Sequence, residues 1–187
     1  MEIRTIAVIG AGAMGRAVAY EALAAGYSVI LEDVLPERLA AAQQEVRGRL
    51  NGTGSNAAAT AQLTSASSVD QACRAAELVI ETLPEEVEMK IDVFCILEKF
   101  ARPGAILATN ARTIPVTEIA AVTTRGEECV GLRFIETERE KKALEIVRGA
   151  GTSDATVEAC REMGRRMGRE IEVVREPAGP AVGSAGR

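Results

Sequence analysis

Short apolar runs rich in Val and Ile alternate with longer stretches of helical periodicity along this 187-residue chain. Such alternation is typical of a doubly wound α/β domain, in which helices cover both faces of a mostly parallel sheet. We therefore predict a single domain of this kind over residues 1–176, followed by a flexible tail at 177–187. The runs that predict strands are 3–9, 27–31, 61–64, 78–83, 105–109, 129–134, 143–147 and 170–174.

Amphipathic periodicity is clearest at 86–100, where apolar side chains recur at the spacing of one helix face. Between two predicted helices, the polar sequence NGTGSNAAAT at 51–60 predicts a flexible loop. The other predicted helices are 16–25, 35–50, 69–75, 116–121 and 154–168. Four arginines on the last helix and just after it are expected to form a solvated basic face: Arg161, Arg165, Arg166 and Arg169.

The first strand and the first helix are joined by the sequence GAGAMG, which begins at Gly10. Gly10 permits a tight turn, Gly12 lets a pyrophosphate approach the backbone, and Gly15 lets helix and strand pack closely. The helix that follows presents free N–H groups and a partial positive charge to the phosphates. Strand, turn and helix together predict a Rossmann-type dinucleotide site, whose turn also includes Ala13 and Met14.

The second predicted strand is followed by two acidic residues, Glu32 and Asp33. Asp33 comes 18 residues after Gly15, which places its carboxylate near the ribose hydroxyls of the adenosine. A carboxylate at this point repels the 2′-phosphate of NADP(H). The sequence therefore predicts NAD(H) as the cofactor.

Composition restricts the partners and the chemistry. The net charge of −5 argues against nucleic acid or an anionic membrane as a main partner. Met1 is followed at once by a strand, and no apolar run reaches membrane-spanning length, so we expect a cytoplasmic protein. With no His and four widely separated Cys, the chain has no zinc-type ligand set, and the thiols are expected to be buried. The absence of His also removes the commonest general base near neutral pH.

Several motifs in order resemble the NAD-binding domain of the 3-hydroxyacyl-CoA dehydrogenase family, over about residues 3–179. They are GAGAMG at 10–15, ILEDV at 30–34, LVIETLPEEVEMK at 78–90, ILATN at 106–110, VGLRF at 130–134 and KALEIVRG at 142–149. The resemblance implies NAD as the cofactor and antiparallel pairing among the last strands. It places Glu85 and Lys90 near the nicotinamide-side ribose and Asn110 beside the nicotinamide. The further cofactor contacts it implies are Leu83 and Pro84.

Three positions depart from the family where its chemistry takes place. Family members use a His–Glu pair, in which His takes the proton of the 3-hydroxyl as hydride moves to NAD. The resemblance assigns the Glu position to Glu145, a catalytic candidate, but the His position to Arg133. Arg112 stands where the family has a substrate-contacting Ser, and Glu136 where it has Asn. Because arginine has no acceptor atom and a pKa above about 12, Arg133 cannot take that proton.

Two interpretations of the arginines remain open. Arg112 and Arg133 bind the carboxylate or phosphate of a different, small acidic or acyl substrate, or polarise a carbonyl during its reduction. Alternatively, Arg133 pairs with Glu145 or Glu136 and neutralises their charge. The chain is accordingly either an oxidoreductase with altered chemistry or a non-catalytic NAD(H)-binding module, such as a redox sensor or a subunit of a larger complex.

Two parts of the family's structure have no counterpart in these 187 residues. The helical arm between the second and third strands shrinks to the loop at 51–60, and the C-terminal helical domain is missing. The segment that should face this domain reads ETEREKK at 136–142, a charged run that we expect to be solvated. We therefore expect a stand-alone domain, and leave open a partner chain or a second copy that completes the site.

Overall fold

An eight-stranded sheet with helices on both faces forms the centre of the molecule. The computed structural model describes residues 2–52, 57–136 and 142–176. The strands are β1 (Thr5–Ile9), β2 (Ser28–Glu32), β3 (Leu63–Ala66), β4 (Leu78–Glu81), β5 (Ile106–Thr109), β6 (Cys129–Glu136), β7 (Lys142–Arg148) and β8 (Glu170–Arg175). The helices are α1 (Ala13–Ala24), α2 (Pro36–Gly52), α3 (Ala57–Ala61), α4 (Val69–Cys73), α5 (Val87–Phe100), α6 (Val116–Ala120) and α7 (Asp154–Arg166).

The strand order is β3-β2-β1-β4-β5-β6-β7-β8. Strands β1 to β6 pair in parallel, β7 runs antiparallel to β6, and β8 is parallel to β7. The doubly wound, mostly parallel fold is thus confirmed, including the antiparallel pairing near its end. The chain reverses its direction of strand addition between β1 and β4, and open α/β sheets bind ligands at the carboxyl edge beside such a point.

Two apolar clusters hold the helices against the sheet. On one face α1, α2 and α7 pack around Ile6 and Val8, and on the other α4, α5 and α6 pack around Ala7 and Ile9. These four side chains of β1 are completely buried, as expected of a central parallel strand. Because β1 is buried on both faces, its position in the sheet is fixed, and so is the start of the turn that follows it.

The ends of the predicted strands and helices differ from the observed ones by no more than three residues. The prediction of a loop at 51–60 is wrong where the structure describes it, because α2 continues to Gly52 and α3 occupies Ala57–Ala61. Alanine favours helix strongly, and Leu50 in the last turns of α2 is fully buried. Residues 53–56, 137–141 and the tail at 177–187 lie outside the described residues, so the predictions for the charged run and the tail are untested.

Two predictions about surface residues are corrected by the packing. Cys73, Cys129 and Cys160 are buried thiols, but Cys95 is exposed because it lies on the outer side of α5. Arg169 is not solvated. Its Nε lies 2.7 Å from Glu21 Oε2 in the core between α1 and the sheet, and its guanidinium also donates to the carbonyl oxygens of Ile135 and Ala143.

Removing this buried cation should destabilise the fold. In Arg169→Ala, the buried Glu21 would keep only Lys142, whose Nζ lies 2.8 Å from Glu21 Oε1. We expect the free energy of unfolding in urea to fall by about 2–4 kcal/mol. The control is Arg165→Ala, which removes an exposed arginine of α7 and should change the free energy by less than about 0.5 kcal/mol. Equal losses in the two variants would contradict the assignment.

Candidate functional site

The glycine turn after β1 has the shape that a phosphate needs. Gly10 adopts φ +99°, a left-handed conformation, and its N–H donates to the carbonyl of Glu32 at 2.9 Å. A Cβ on Gly15 would lie 1.9 Å from the carbonyl oxygen of Gly10, so only glycine lets α1 approach β1 this closely. A Cβ on Gly12 would meet nothing within 4 Å. Gly12 therefore borders open space at the start of α1, where Ala13 and Met14 form the first turn.

Asp33 joins the end of β2 to this turn. Its Oδ2 accepts a hydrogen bond from the N–H of Ala11 at 2.9 Å, and its Oδ1 accepts one from the N–H of Leu35 at 2.9 Å. Arg38 Nη1 lies 3.5 Å from Oδ2. Each carboxylate oxygen can accept two hydrogen bonds, so Asp33 is oriented by the protein and retains acceptor capacity for ribose hydroxyls.

The loop after β5 is ordered by Glu85, from the loop after β4. Glu85 Oε1 accepts hydrogen bonds from the N–H groups of Arg112 and Thr113, both at 2.7 Å, from that of Ile114 at 3.3 Å and from the hydroxyl of Thr113. Burial acts to raise the pKa of Glu85, but these donors outweigh it and hold the pKa below its usual value. Asn110 precedes this loop, and its buried Oδ1 has no donor among the described residues, as expected of an acceptor kept for a ligand.

Lys90 is buried at the start of α5 and supports the turn after β4. Its Nζ lies 2.9 Å and 3.0 Å from the two carboxylate oxygens of Glu81 and 3.2 Å from the carbonyl oxygen of Leu83. With three protein acceptors, Lys90 acts by positioning Glu81 and the Leu83–Pro84 turn. Sequence reasoning missed Glu81, although a glutamate inside an apolar strand, nine residues before a lysine, is a visible signal.

Arg133 and Glu145 face each other across β6 and β7, where they are direct partners in the strand register. Arg133 Nη1 lies 2.7 Å from Glu145 Oε1, and its Nε donates to the carbonyl of Ala111 at 2.9 Å. The pairing of Arg133 with Glu145, one of the alternatives above, is thus observed. The Glu145 carboxylate is engaged by a permanent cation and has no imidazole to orient.

Arg112 occupies a different place from Arg133. It lines a cavity of about 360 Å³ beside the start of α1, together with Met14, Phe134, Glu136 and other residues of that surface. Within the described ranges, no residue accepts a hydrogen bond from its guanidinium, which is exposed. The structure therefore separates the two arginines: Arg133 turns to Glu145, and Arg112 borders the cavity.

Glu32 is a second residue that sequence reasoning passed over. It is 1% exposed, and its Oε1 is buried without a donor among the described residues. Burial, reinforced by the neighbouring charge of Asp33, raises the pKa of Glu32 to about 7. The signal that could have revealed it is a glutamate at the end of an apolar strand that the parallel sheet buries on both faces.

Comparison with known proteins agrees with this geometry. The family described as "3-hydroxyacyl-CoA dehydrogenase, NAD binding domain" matches residues 5–176. The chain belongs to this family. The predicted NAD cofactor is confirmed at that level, whereas the individual contacts of the glycine turn, Asp33 and the loops after β4 and β5 stay predictions.

The curated relatives are oxidoreductases that are longer than this chain. A 3-hydroxybutyryl-CoA dehydrogenase of Bradyrhizobium diazoefficiens is 33% identical over 91% of this chain and 61% of its own length. A probable 3-hydroxybutyryl-CoA dehydrogenase of Bacillus subtilis is 32% identical over 90% of this chain, again 61% of its own length. The chain thus spans about three fifths of these two curated relatives.

A solved structure shows the same fold. The crystal structure of a 3-hydroxybutyryl-CoA dehydrogenase from Escherichia coli K12 superposes with a TM-score of 0.85 at 30% identity, over 94% of this chain and 39% of that one. Within the described ranges, no helix of the present domain has the length and apolar character needed to cross a membrane.

The open space at Gly12 yields a test of the phosphate position. Gly12 has φ −67°, which any residue tolerates, so Gly12→Val should fold normally and fill only the space for the pyrophosphate. We expect the dissociation constant for NADH to rise at least about ten-fold, with little change in melting temperature. Gly48→Ala, at a helix position equally free of neighbours, is the control and should bind NADH normally. Unchanged NADH affinity in Gly12→Val would place the phosphates elsewhere.

Proposed function

We propose that this domain binds NAD(H) without oxidising 3-hydroxyacyl substrates through the family's proton abstraction. The contact of Arg133 with Glu145 and the carbonyl of Ala111 carries the proposal. A general base must lie within hydrogen-bond reach of the hydroxyl proton and must be able to accept it. The guanidinium of Arg133 is held by a carboxylate and a carbonyl, and it has no atom that can accept the hydroxyl proton.

The loss in rate from a missing base is large. Positioned acid–base groups contribute about 10²–10⁴-fold, so a domain with Arg133 in place of such a base should turn over hydroxyacyl substrates very slowly.

Bound NAD supplies the hydride acceptor of the family's reaction. The residues of this chain hold the pyrophosphate at the glycine turn, the ribose at Asp33 and the nicotinamide end near Asn110. Retention of NAD(H) as a ligand, in a redox sensor or in a subunit of a larger complex, is the function these features support best.

A second function is favoured by the cavity beside Arg112. Its volume of about 360 Å³ suits a small ligand, and Arg112 would supply the cation for a carboxylate or phosphate. The relatives are named for acyl-CoA substrates. In this alternative the domain is an oxidoreductase for a small acidic or acyl substrate, and a partner chain or a second copy completes the cavity. A reducing, cytoplasmic location is part of both proposals and is consistent with the free thiols.

Cofactor preference tests the role of Asp33. NADH fluorescence titration should show micromolar binding, with NADPH at least about ten-fold weaker, because the carboxylate repels the 2′-phosphate. Asp33→Asn keeps an acceptor oxygen and removes the charge, so the preference should shrink to less than about three-fold. Asp92→Asn removes an exposed charge on α5 and should keep the preference. Absence of NADH binding at sub-millimolar concentrations would refute cofactor binding itself.

Restoring the family's residues tests the catalytic half of the proposal. The wild-type domain should oxidise NADH with acetoacetyl-CoA no faster than the background rate. Arg133→His combined with Arg112→Ser should raise this rate by at least about ten-fold if the frame around β6 and β7 is intact. NADH titration of the double variant controls for the cofactor site. Turnover by the wild type that falls in Arg112→Ala would instead favour the oxidoreductase alternative.

A further inference from the structure

Two buried glutamates lie in one row at the carboxyl edge of the sheet. Ile9 of β1 is the register partner of Glu32 on β2 and of Glu81 on β4. Glu32 is 1% exposed and Glu81 is completely buried. Residues paired across a parallel sheet point to the same face, so both carboxyl groups lie on the face covered by α4 and α5.

The surroundings of the two glutamates differ in charge. Glu81 accepts hydrogen bonds from the Lys90 ammonium, the Thr109 hydroxyl and the N–H of Leu83. No described residue donates to the buried Oε1 of Glu32. A buried carboxyl group without a donor or a cation is more stable when it is protonated. Both carboxyl groups are therefore buried, but only that of Glu81 has a cation and hydrogen-bond donors beside it.

Among the described residues, no cation forms an ion pair with Glu32, and on α5 the buried Lys90 lies against Glu81. Strands β1 and β3 carry no charged residue. The charged residue of α4, Asp70, is engaged by Ser68 and by Arg74. On the side of α2, Arg38 lies against Asp33, whose own negative charge faces Glu32. Burial and the charge of Asp33 therefore act on Glu32 without an opposing cation, and they raise its pKa to about 7.

Glu32 is also joined directly to the phosphate-binding turn. Its carbonyl accepts the N–H of Gly10 at 2.9 Å, and the next residue, Asp33, accepts the N–H of Ala11. An ionised Glu32 would therefore add a buried negative charge at the end of the strand that holds the proposed pyrophosphate-binding turn. This charge and an anionic pyrophosphate repel each other, so each makes the other less favourable.

We propose that binding of NAD(H) is coupled to the protonation of Glu32, so that the domain holds the cofactor more tightly below neutral pH than above it. This inference rests on the proposed cofactor site. Linkage is reciprocal: if ionisation of Glu32 weakens NAD(H) binding, then bound NAD(H) draws a proton onto Glu32. The pH profile is easy to interpret because the chain contains no histidine.

The test is a fluorescence titration of NADH at pH 6 and at pH 8 with three proteins. In the wild type, the dissociation constant should rise about three- to ten-fold between the two pH values. Glu32→Gln cannot ionise and should bind NADH with the same affinity at both. Glu37→Gln removes an exposed carboxylate from the first turn of α2 and should keep the wild-type slope.

Calorimetry gives a second readout that does not depend on affinity. At pH 7, the heat of NADH binding to the wild type should vary with the ionisation enthalpy of the buffer, because protons are taken up, and Glu32→Gln should show no such variation.

Thermal unfolding checks the apoprotein. A carboxyl group with a raised pKa in the folded state stabilises less as pH rises, up to about pH 7. The melting temperature of the wild type should therefore fall more between pH 5 and pH 8 than that of Glu32→Gln.

The possible outcomes separate the coupling from the cofactor site. Equal wild-type affinity at both pH values, or an undiminished slope in Glu32→Gln, would overturn the coupling and leave NAD(H) binding intact. Failure of the wild type to bind NADH at either pH would instead refute the cofactor site. If Glu32→Gln does not fold, Glu32→Leu supplies the uncharged comparison.

Discussion

The close contact of Gly15 with the carbonyl of Gly10 is the constraint on which the site depends. A side chain at Gly15 would force α1 away from β1, since its Cβ would lie 1.9 Å from that oxygen. Burial of β1 on both faces holds the strand, and this contact holds the helix against it. The first N–H groups of α1, the open space at Gly12 and the carboxylate of Asp33 then meet at one edge of the sheet, where an anionic dinucleotide can bind.

Around this edge, the pairing of buried charges decides what each group can do. Lys90 neutralises Glu81 and supports the turn after β4, while Arg133 engages Glu145 beside the loop after β5. In each pair, a carboxylate is held by a cation of the same chain. Glu32, in contrast, is buried without a described donor, and Arg112 lines a cavity without a described acceptor. The proposed pH dependence and the proposed binding of an anionic ligand depend on these two groups.

The chain belongs to the NAD-binding family, and on β6 an arginine stands where the resemblance places the catalytic His. The fold that positions NAD is kept in full, because it depends on backbone geometry and apolar packing. The proton-transfer group is not kept, because it is a single side chain that the packing of the sheet does not require. Cofactor binding therefore does not depend on the side chain that transfers the proton.

Local patterns in the sequence were enough to determine the strands, the main helices, the glycine turn and Asp33, since periodicity and glycine spacing act within a few residues of each other. They were not enough for the segment after Leu50, where α2 continues to Gly52 and the alanine-rich run forms α3. Only the tertiary structure decided that Arg169 lies buried against Glu21, that Lys90 serves Glu81, and that Glu32 has no described donor. These outcomes join residues on different strands and helices, and the charge state of a buried group depends on all the elements that surround it.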